Sequence, residues 1–183
     1  MAVVEDIAMI IWRRKDTEFS GAEVAEVGHF GLVLARINLV QAADFEASEP
    51  IWAEFFSPAD FARWSEFQPG PRRTAFVAAR LALRAATEGS AYGIRDLSYD
   101  DRRPCLPNGF VSLSHGGSWA VAAYHPLLPV GVDVEGPRAQ IDRVVARVAS
   151  EREVANLDHR FLWGTKEAVY KAAGQAGLDW RLG

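Results

Sequence analysis

The sequence predicts an α+β protein. Short apolar runs with period-two alternation, bounded by glycine and proline, occur between longer stretches whose apolar residues recur at helical spacing. At 183 residues the chain can bury a real core, as one domain or as two small lobes. Phe30 to Val40 reads as a buried strand, with Leu32, Val33, Leu34, Ile37 and Leu39 close together. Ser57-Pro58-Ala59-Asp60 is a helix start, serine as N-cap and proline at the first helical position. That helix continues through Phe61 and Trp64, and Pro69-Gly70-Pro71 then breaks the chain. Arg73 to Ala86 is the longest helical pattern, closed by Gly89. Phe110 to Leu113 and Trp119 to Tyr124 read as a hairpin around the turn Ser114-His115-Gly116-Gly117-Ser118, and Val130 to Glu135 as a third strand. Ile141 to Ala149, Glu151 to Leu157 and Phe161 to Ala173 are helical, the last ending near Gly174. A boundary between residues 29–109 and 110–183 is expected near Asn108-Gly109, and residues 1–28 read as an extension outside the fold.

Composition narrows the function classes. Hydrophobic content of 49% with 24% charged residues is ordinary for a globular chain, and one cysteine, Cys105, excludes an internal disulfide framework. The four histidines and that cysteine have no zinc spacing. No stretch reaches the length of a membrane span, and the apolar run Ile7 to Trp12 is too short for a signal-peptide core, so a cytoplasmic protein without membrane contact is expected. The net charge of −4 conceals a basic stretch, Arg72, Arg73, Arg80 and Arg84, with no acid among them. Arg73, Arg80 and Arg84 form one stripe opposite Phe76, Val77, Leu81 and Leu83. A solvated helix face accounts for that stripe equally well, and the lack of interleaved aromatics argues against nucleic acid.

Two motifs carry chemistry. In Gly131-Val132-Asp133-Val134-Glu135, strand alternation puts Gly131, Asp133 and Glu135 on one face. Two carboxylates so placed repel unless a cation lies between them, and oxygen-only ligands favour Mg²⁺. The simpler alternative is an acidic strand face in water. In Trp163-Gly164-Thr165-Lys166-Glu167-Ala168-Val169-Tyr170-Lys171, residues Trp163, Glu167 and Lys171 recur every four positions and project together from a helix. Glu167 and Lys171 also suit an ordinary exposed ion pair, although Phe161, Leu162 and Trp163 mark the helix as packed. The turn after Ser114 has the small residues and backbone N–H groups of a phosphate cradle, while a serine-hydrolase elbow is absent. For His115 taken alone, a satisfied turn histidine is the simpler reading.

In order along the chain, Ser57-Pro58, Arg73-x-x-Phe76-x-x-x-Arg80, Arg103-Pro104, Ser112-Leu113-Ser114-His115, Gly131-Val132-Asp133-Val134-Glu135 and Trp163-x-x-Lys166-Glu167-x-x-x-Lys171 resemble the 4′-phosphopantetheinyl transferases of the monomeric two-lobed class. The match runs from about Phe55 to Leu178, and the last two motifs are its specific part. The resemblance implies two pseudo-duplicate lobes, each a small, mostly antiparallel sheet with helices, and coenzyme A between them. It implies that Asp133, Glu135 and Glu167 hold Mg²⁺, with Asp133, Glu167 and Lys171 catalytic. Lys166 and Lys171 would meet the phosphates, Ser114 would touch them, and Arg73 and His115, helped by Arg63, would hold the 3′-phosphate. Arg103 and Pro104 would border the adenine, Glu153 would add an acid to the site, and Trp163 would support it from beneath.

The implied reaction transfers phosphopantetheine from coenzyme A to a serine of an apo acyl or peptidyl carrier protein. The sequence departs from the family pattern at Asp60, where the family has a phosphate-contacting lysine, and in a second lobe that reads as incomplete. A monomer is expected, with association through an open sheet edge as its hazard. The competing expectation is a non-catalytic relative that binds coenzyme A or a carrier protein. A pyrophosphate hydrolase is disfavoured, because it would need a glutamate-rich helix that this sequence lacks.

Overall fold

The computed structural model describes residues 13–14, 22–27, 31–46, 56–100, 103–136 and 141–175. The class is α+β, as expected. Strands β1 (Arg13–Arg14), β2 (Glu23–Val27), β3 (Leu32–Asn38), β6 (Phe110–Gly116) and β7 (Trp119–His125) form one antiparallel sheet in the order β1-β2-β3-β7-β6. A second ribbon pairs β4 (Ser98–Asp100) with β5 (Arg103–Cys105). The helices are α1 (Leu39–Glu46), α2 (Pro58–Ser65), α3 (Pro71–Ala86), α4 (Ile141–Val148), α5 (Glu151–Asn156) and α6 (His159–Gln175). Among the described residues no helix is long and apolar enough to cross a membrane.

Two boundaries differ from the sequence expectation. Arg13–Arg14 and Glu23–Val27 lie within the supposed extension, yet both pair into the sheet, β2 directly against β3. The sheet also runs across Asn108-Gly109, because β7 pairs with β3 from Val33↔Tyr124 to Asn38↔Trp119. Backbone ladder bonds therefore join segments assigned to different lobes. Val33 and Ile37 on β3, Val111 and Leu113 on β6, and Ala120, Ala122 and Tyr124 on β7 all serve one core face.

Helix α3 covers that face. Pro71 opens it, where the missing N–H is no loss, and its buried side includes Ala75, Ala78, Ala79, Ala82, Ala85 and Ala86. Small residues on the helix meet Ala35, Ala120 and Ala122 on the sheet, so the backbones approach closely around Val77 and Leu83. Arg80 departs from the expected solvated stripe. Its side chain is 8% exposed, and its Nε donates to Asp60 Oδ1 at 3.0 Å. The Tyr99 hydroxyl also donates to Asp60 and accepts from Arg80. Burial and the Asp60 carboxylate push the Tyr99 phenol above its ordinary range, against the pull of Arg80. Asp60 is therefore an internal counter-ion that ties α2 to α3 and β4, with no exposure to meet a phosphate. Its helix starts as read, Ser57 Oγ accepting from Asp60 N at 3.1 Å.

The β6–β7 turn is tighter than expected. Ser114, His115 and Gly116 belong to the strand, and Gly117-Ser118 alone reverse the chain, Gly117 with φ of +58°. A smaller cluster, Ile141, Val145 and Leu162, holds α4 against α6, with Ala149, Val154 and Trp163 packed around it.

Candidate functional site

The segment Val130 to Glu135 is not a sheet strand, which corrects the sequence reading. It lies between β6 and α6, held by side chains where a ladder would use backbone. Val132 N donates to Ser112 Oγ at 3.1 Å and Val134 N to Ser114 Oγ at 3.3 Å. Gln175, at the end of α6, accepts from Val130 N at 3.1 Å and donates to Val111 O at 2.7 Å. Lys171 Nζ donates to Val132 O at 3.0 Å. Serines two apart on β6 thus match amides two apart on the segment, so period two survives without a ladder.

That period turns Gly131, Asp133 and Glu135 toward α6, the shared face expected from alternation. A Cβ on Gly131 would lie 1.7 Å from Ala168 O, so only glycine permits this approach of segment to helix. One turn earlier on α6, the Cβ position of Gly164 lies 3.7 Å from Asp133 Oδ2 and 3.9 Å from Glu135 Cγ. The helix presents bare backbone to the two carboxylates.

Asp133 is the centre of the arrangement. Its side chain is 7% exposed, and Oδ1 accepts from Ser114 Oγ and from Lys171 Nζ, each at 2.7 Å. Oδ2 is buried without a hydrogen-bond partner. A buried carboxylate oxygen left bare is costly unless something positive meets it. Glu135 Oε2 is a second buried carboxylate oxygen. Both side chains border the same glycine, so the donor set at this point is two carboxylates. Glu167 is half-buried and lies one turn from both Gly164 and Lys171 on α6. Among the described residues, however, no three His, Cys, Asp or Glu side chains gather closely enough to hold a metal ion. Asp133 and Glu135 border one glycine, and among the described residues no third carboxylate joins them. A pair is still sufficient donor chemistry for Mg²⁺, which commonly takes one or two carboxylates and completes its shell with water and substrate phosphate.

The remaining sequence candidates are distributed around this centre. Lys166 Nζ is 3.0 Å from Glu153 Oε1, so this lysine is joined to α5. Glu153 closes a capping box with Ser150, whose backbone N–H, followed by Lys166 and the Ser150 hydroxyl, draws its carboxyl down to about 2. Ser114 and His115 point to opposite faces of β6. Ser114 is buried against Asp133, whereas His115 is exposed on the face that α3 covers. The Arg73 guanidinium stacks 3.7 Å from the Trp64 ring centroid and that of Arg63 4.0 Å from Tyr99. Arg103 Nη2 donates to Asp100 at 2.6 Å and Nη1 to the Gly174 carbonyl at the end of α6. Arg103 and Pro104 line a cavity of about 340 Å³ with Cys105, Phe110 and Gln175. Trp163 packs on the Ile141, Val145 and Leu162 cluster.

Ser112 and Gly164 occur within the sequence motifs but are given no role there, and Gln175 lies outside them, although each shapes the site. The signal for the role of Ser112 is its two-residue spacing from Ser114 within that motif on one strand. No protein-family model matches the chain, and no curated protein matches it.

Proposed function

We propose that this chain transfers the 4′-phosphopantetheine group of coenzyme A to a serine hydroxyl of an apo carrier protein. The observation that carries the proposal is the bare, buried Oδ2 of Asp133, beside Glu135 and the backbone of Gly164, with the Lys171 ammonium on the opposite oxygen. Asp133 and Glu135 would hold Mg²⁺, which when bound neutralises the pyrophosphate against which it sits. Lys171 offsets charge on the phosphates as the bond to the departing adenosine 3′,5′-bisphosphate breaks. Glu167, on the same helix, accepts the proton of the carrier serine as its oxygen bonds to phosphorus. The cavity at Arg103 and Pro104 takes the adenine end, and Arg73 and His115 the 3′-phosphate.

A non-catalytic coenzyme A or carrier-protein binder is the second reading. It is favoured by the engagement of Lys166 with Glu153 and by the lack, among the described residues, of a third carboxylate beside Asp133 and Glu135. Intact-protein mass spectrometry separates the two. An apo carrier protein incubated with this chain, coenzyme A and Mg²⁺ should gain one phosphopantetheine, and Asp133→Asn should abolish the gain. A folded chain that binds coenzyme A and modifies no carrier protein establishes the binder.

A further inference from the structure

Ser114 has two hydrogen bonds with opposite roles. Its oxygen accepts the Val134 N–H, which leaves its own proton one good acceptor, Asp133 Oδ1 at 2.7 Å. Lys171 Nζ donates to the same oxygen at 2.7 Å, so Oδ1 has two donors and Oδ2 has none. The carboxylate torsion of an aspartate is intrinsically broad, and one-sided saturation is what fixes which oxygen faces away. Here Oδ2 faces the Cβ position of Gly164 at 3.7 Å. Ser114 itself is 9% exposed, which leaves its hydroxyl little room to reach a bound phosphate. Ser112, two residues earlier on β6, accepts from Val132 N in the same way but makes no contact with the carboxylate.

We propose that Ser114 is a positioning residue: it fixes the carboxylate torsion of Asp133 so that the oxygen left bare meets a divalent cation. This rests on the cation site of the proposed function and replaces the direct phosphate contact that the resemblance implies for Ser114. Groups that orient a ligand oxygen typically change metal affinity 10–100-fold when removed.

The test is Mn²⁺ binding to the full chain without coenzyme A, followed by loss of the free-ion paramagnetic resonance signal, beside the carrier-modification assay. Ser114→Ala should weaken Mn²⁺ binding about 10–100-fold. Ser114→Thr, which keeps the hydroxyl, and Ser112→Ala, which removes only the amide contact, should bind Mn²⁺ much as the parent does. Ser114→Cys keeps the volume with a poor donor and should behave as Ser114→Ala, which covers the case of an alanine variant that does not fold. Unchanged Mn²⁺ affinity in Ser114→Ala with weaker coenzyme A binding overturns the positioning role and restores the phosphate contact. Equal losses in Ser112→Ala and Ser114→Ala also overturn it, since the serines would then act only by seating the segment. A parent chain that modifies carrier protein while Ser114→Ala binds Mn²⁺ normally refutes this inference alone. A parent chain that binds no Mn²⁺ and modifies nothing refutes the proposed function with it.

Discussion

Two glycines on either side of one contact do different work, and substitution separates them. Gly131 lies where a Cβ would enter the Ala168 carbonyl, at 1.7 Å, with backbone that cannot retreat without moving α6. Gly131→Ala should therefore destabilise the fold by about 1–3 kcal/mol or more, read as a lower urea midpoint, and should lose the proposed carrier modification as a consequence. Gly164 is the opposite case. Its Cβ position is at ordinary contact distance from Asp133 Oδ2, and alanine is the better helix former by about 1 kcal/mol. Gly164→Ala should hold or raise the urea midpoint and still weaken Mn²⁺ binding, because its methyl occupies the ground in front of the bare oxygen. A Gly164→Ala protein that binds Mn²⁺ as the parent does would count against the proposed cation site at this face. At this scale the sequence revealed the residue types and not their partners. Asp60 reads as a misplaced phosphate contact because its counter-ion Arg80 is twenty positions away and its exposure cannot be seen in a string of letters.

The helices α4, α5 and α6 meet at His159. Its Nδ1 is 2.6 Å from Asp142 on α4, and Nε2 is 3.3 Å from the Val154 carbonyl on α5. Both ring nitrogens face acceptors, which only the imidazolium satisfies as a double donor. The Asp142 contact first, then the Val154 carbonyl, raises its pKa above the ordinary 6.5, with Asp158 adding to the pull and partial burial opposing it. The sign follows from linkage: a raised histidine contributes stability below its unfolded value of 6.5 and loses it as pH climbs through the higher folded value. Glu153 works at the other end, contributing above 4.5 and losing that contribution as pH falls toward about 2. The difference in urea midpoint between parent and His159→Gln should be positive at pH 5.5 and shrink by pH 8.5, whereas a constant difference would show that the ring acts by packing alone. Element type was legible where local chemistry decides it. Ser57-Pro58 began α2, helical periodicity gave α3 through α6, and alternation gave the β6–β7 hairpin. Val130 to Glu135 has the alternation of a strand yet hydrogen-bonds to Ser112, Ser114, Lys171 and Gln175, and no local pattern tells a ladder from a row of side chains. Helix α1 was missed because Leu39 and Val40 continue the apolar run of β3 without a break in composition.

Across the molecule, burial is unevenly shared, and the candidate site falls on the junction. The large core lies between α3 and the sheet, where Val77, Leu83, Ala35 and Ala122 are wholly enclosed. On the far side, among the described residues, only Ile141, Val145 and Leu162 form the buried cluster that holds α4 to α6. Between the two bodies the Val130 to Glu135 segment is laced by side-chain hydrogen bonds, each of modest net strength. Regions with few buried apolar contacts open at lower free energy than the core. Native-state hydrogen exchange in low urea should therefore show the amides of Leu162 to Lys171 exchanging through a sub-global opening, with a smaller urea dependence than those of Val77 to Leu83. Identical free energies and urea slopes for both sets would mean that α6 opens only with the whole fold. The same measurement tests the proposed cation site from a distance. A ligand that binds only the closed form stabilises it by about 2.7 kcal/mol at a hundred times its dissociation constant, which slows exchange through that opening about 100-fold. Saturating Mn²⁺ should slow the α6 amides by up to that factor and leave the urea slope of the α3 amides unchanged. Because Lys171 and the Gly164 face both belong to α6, protection confined to α3 would place the bound ion elsewhere.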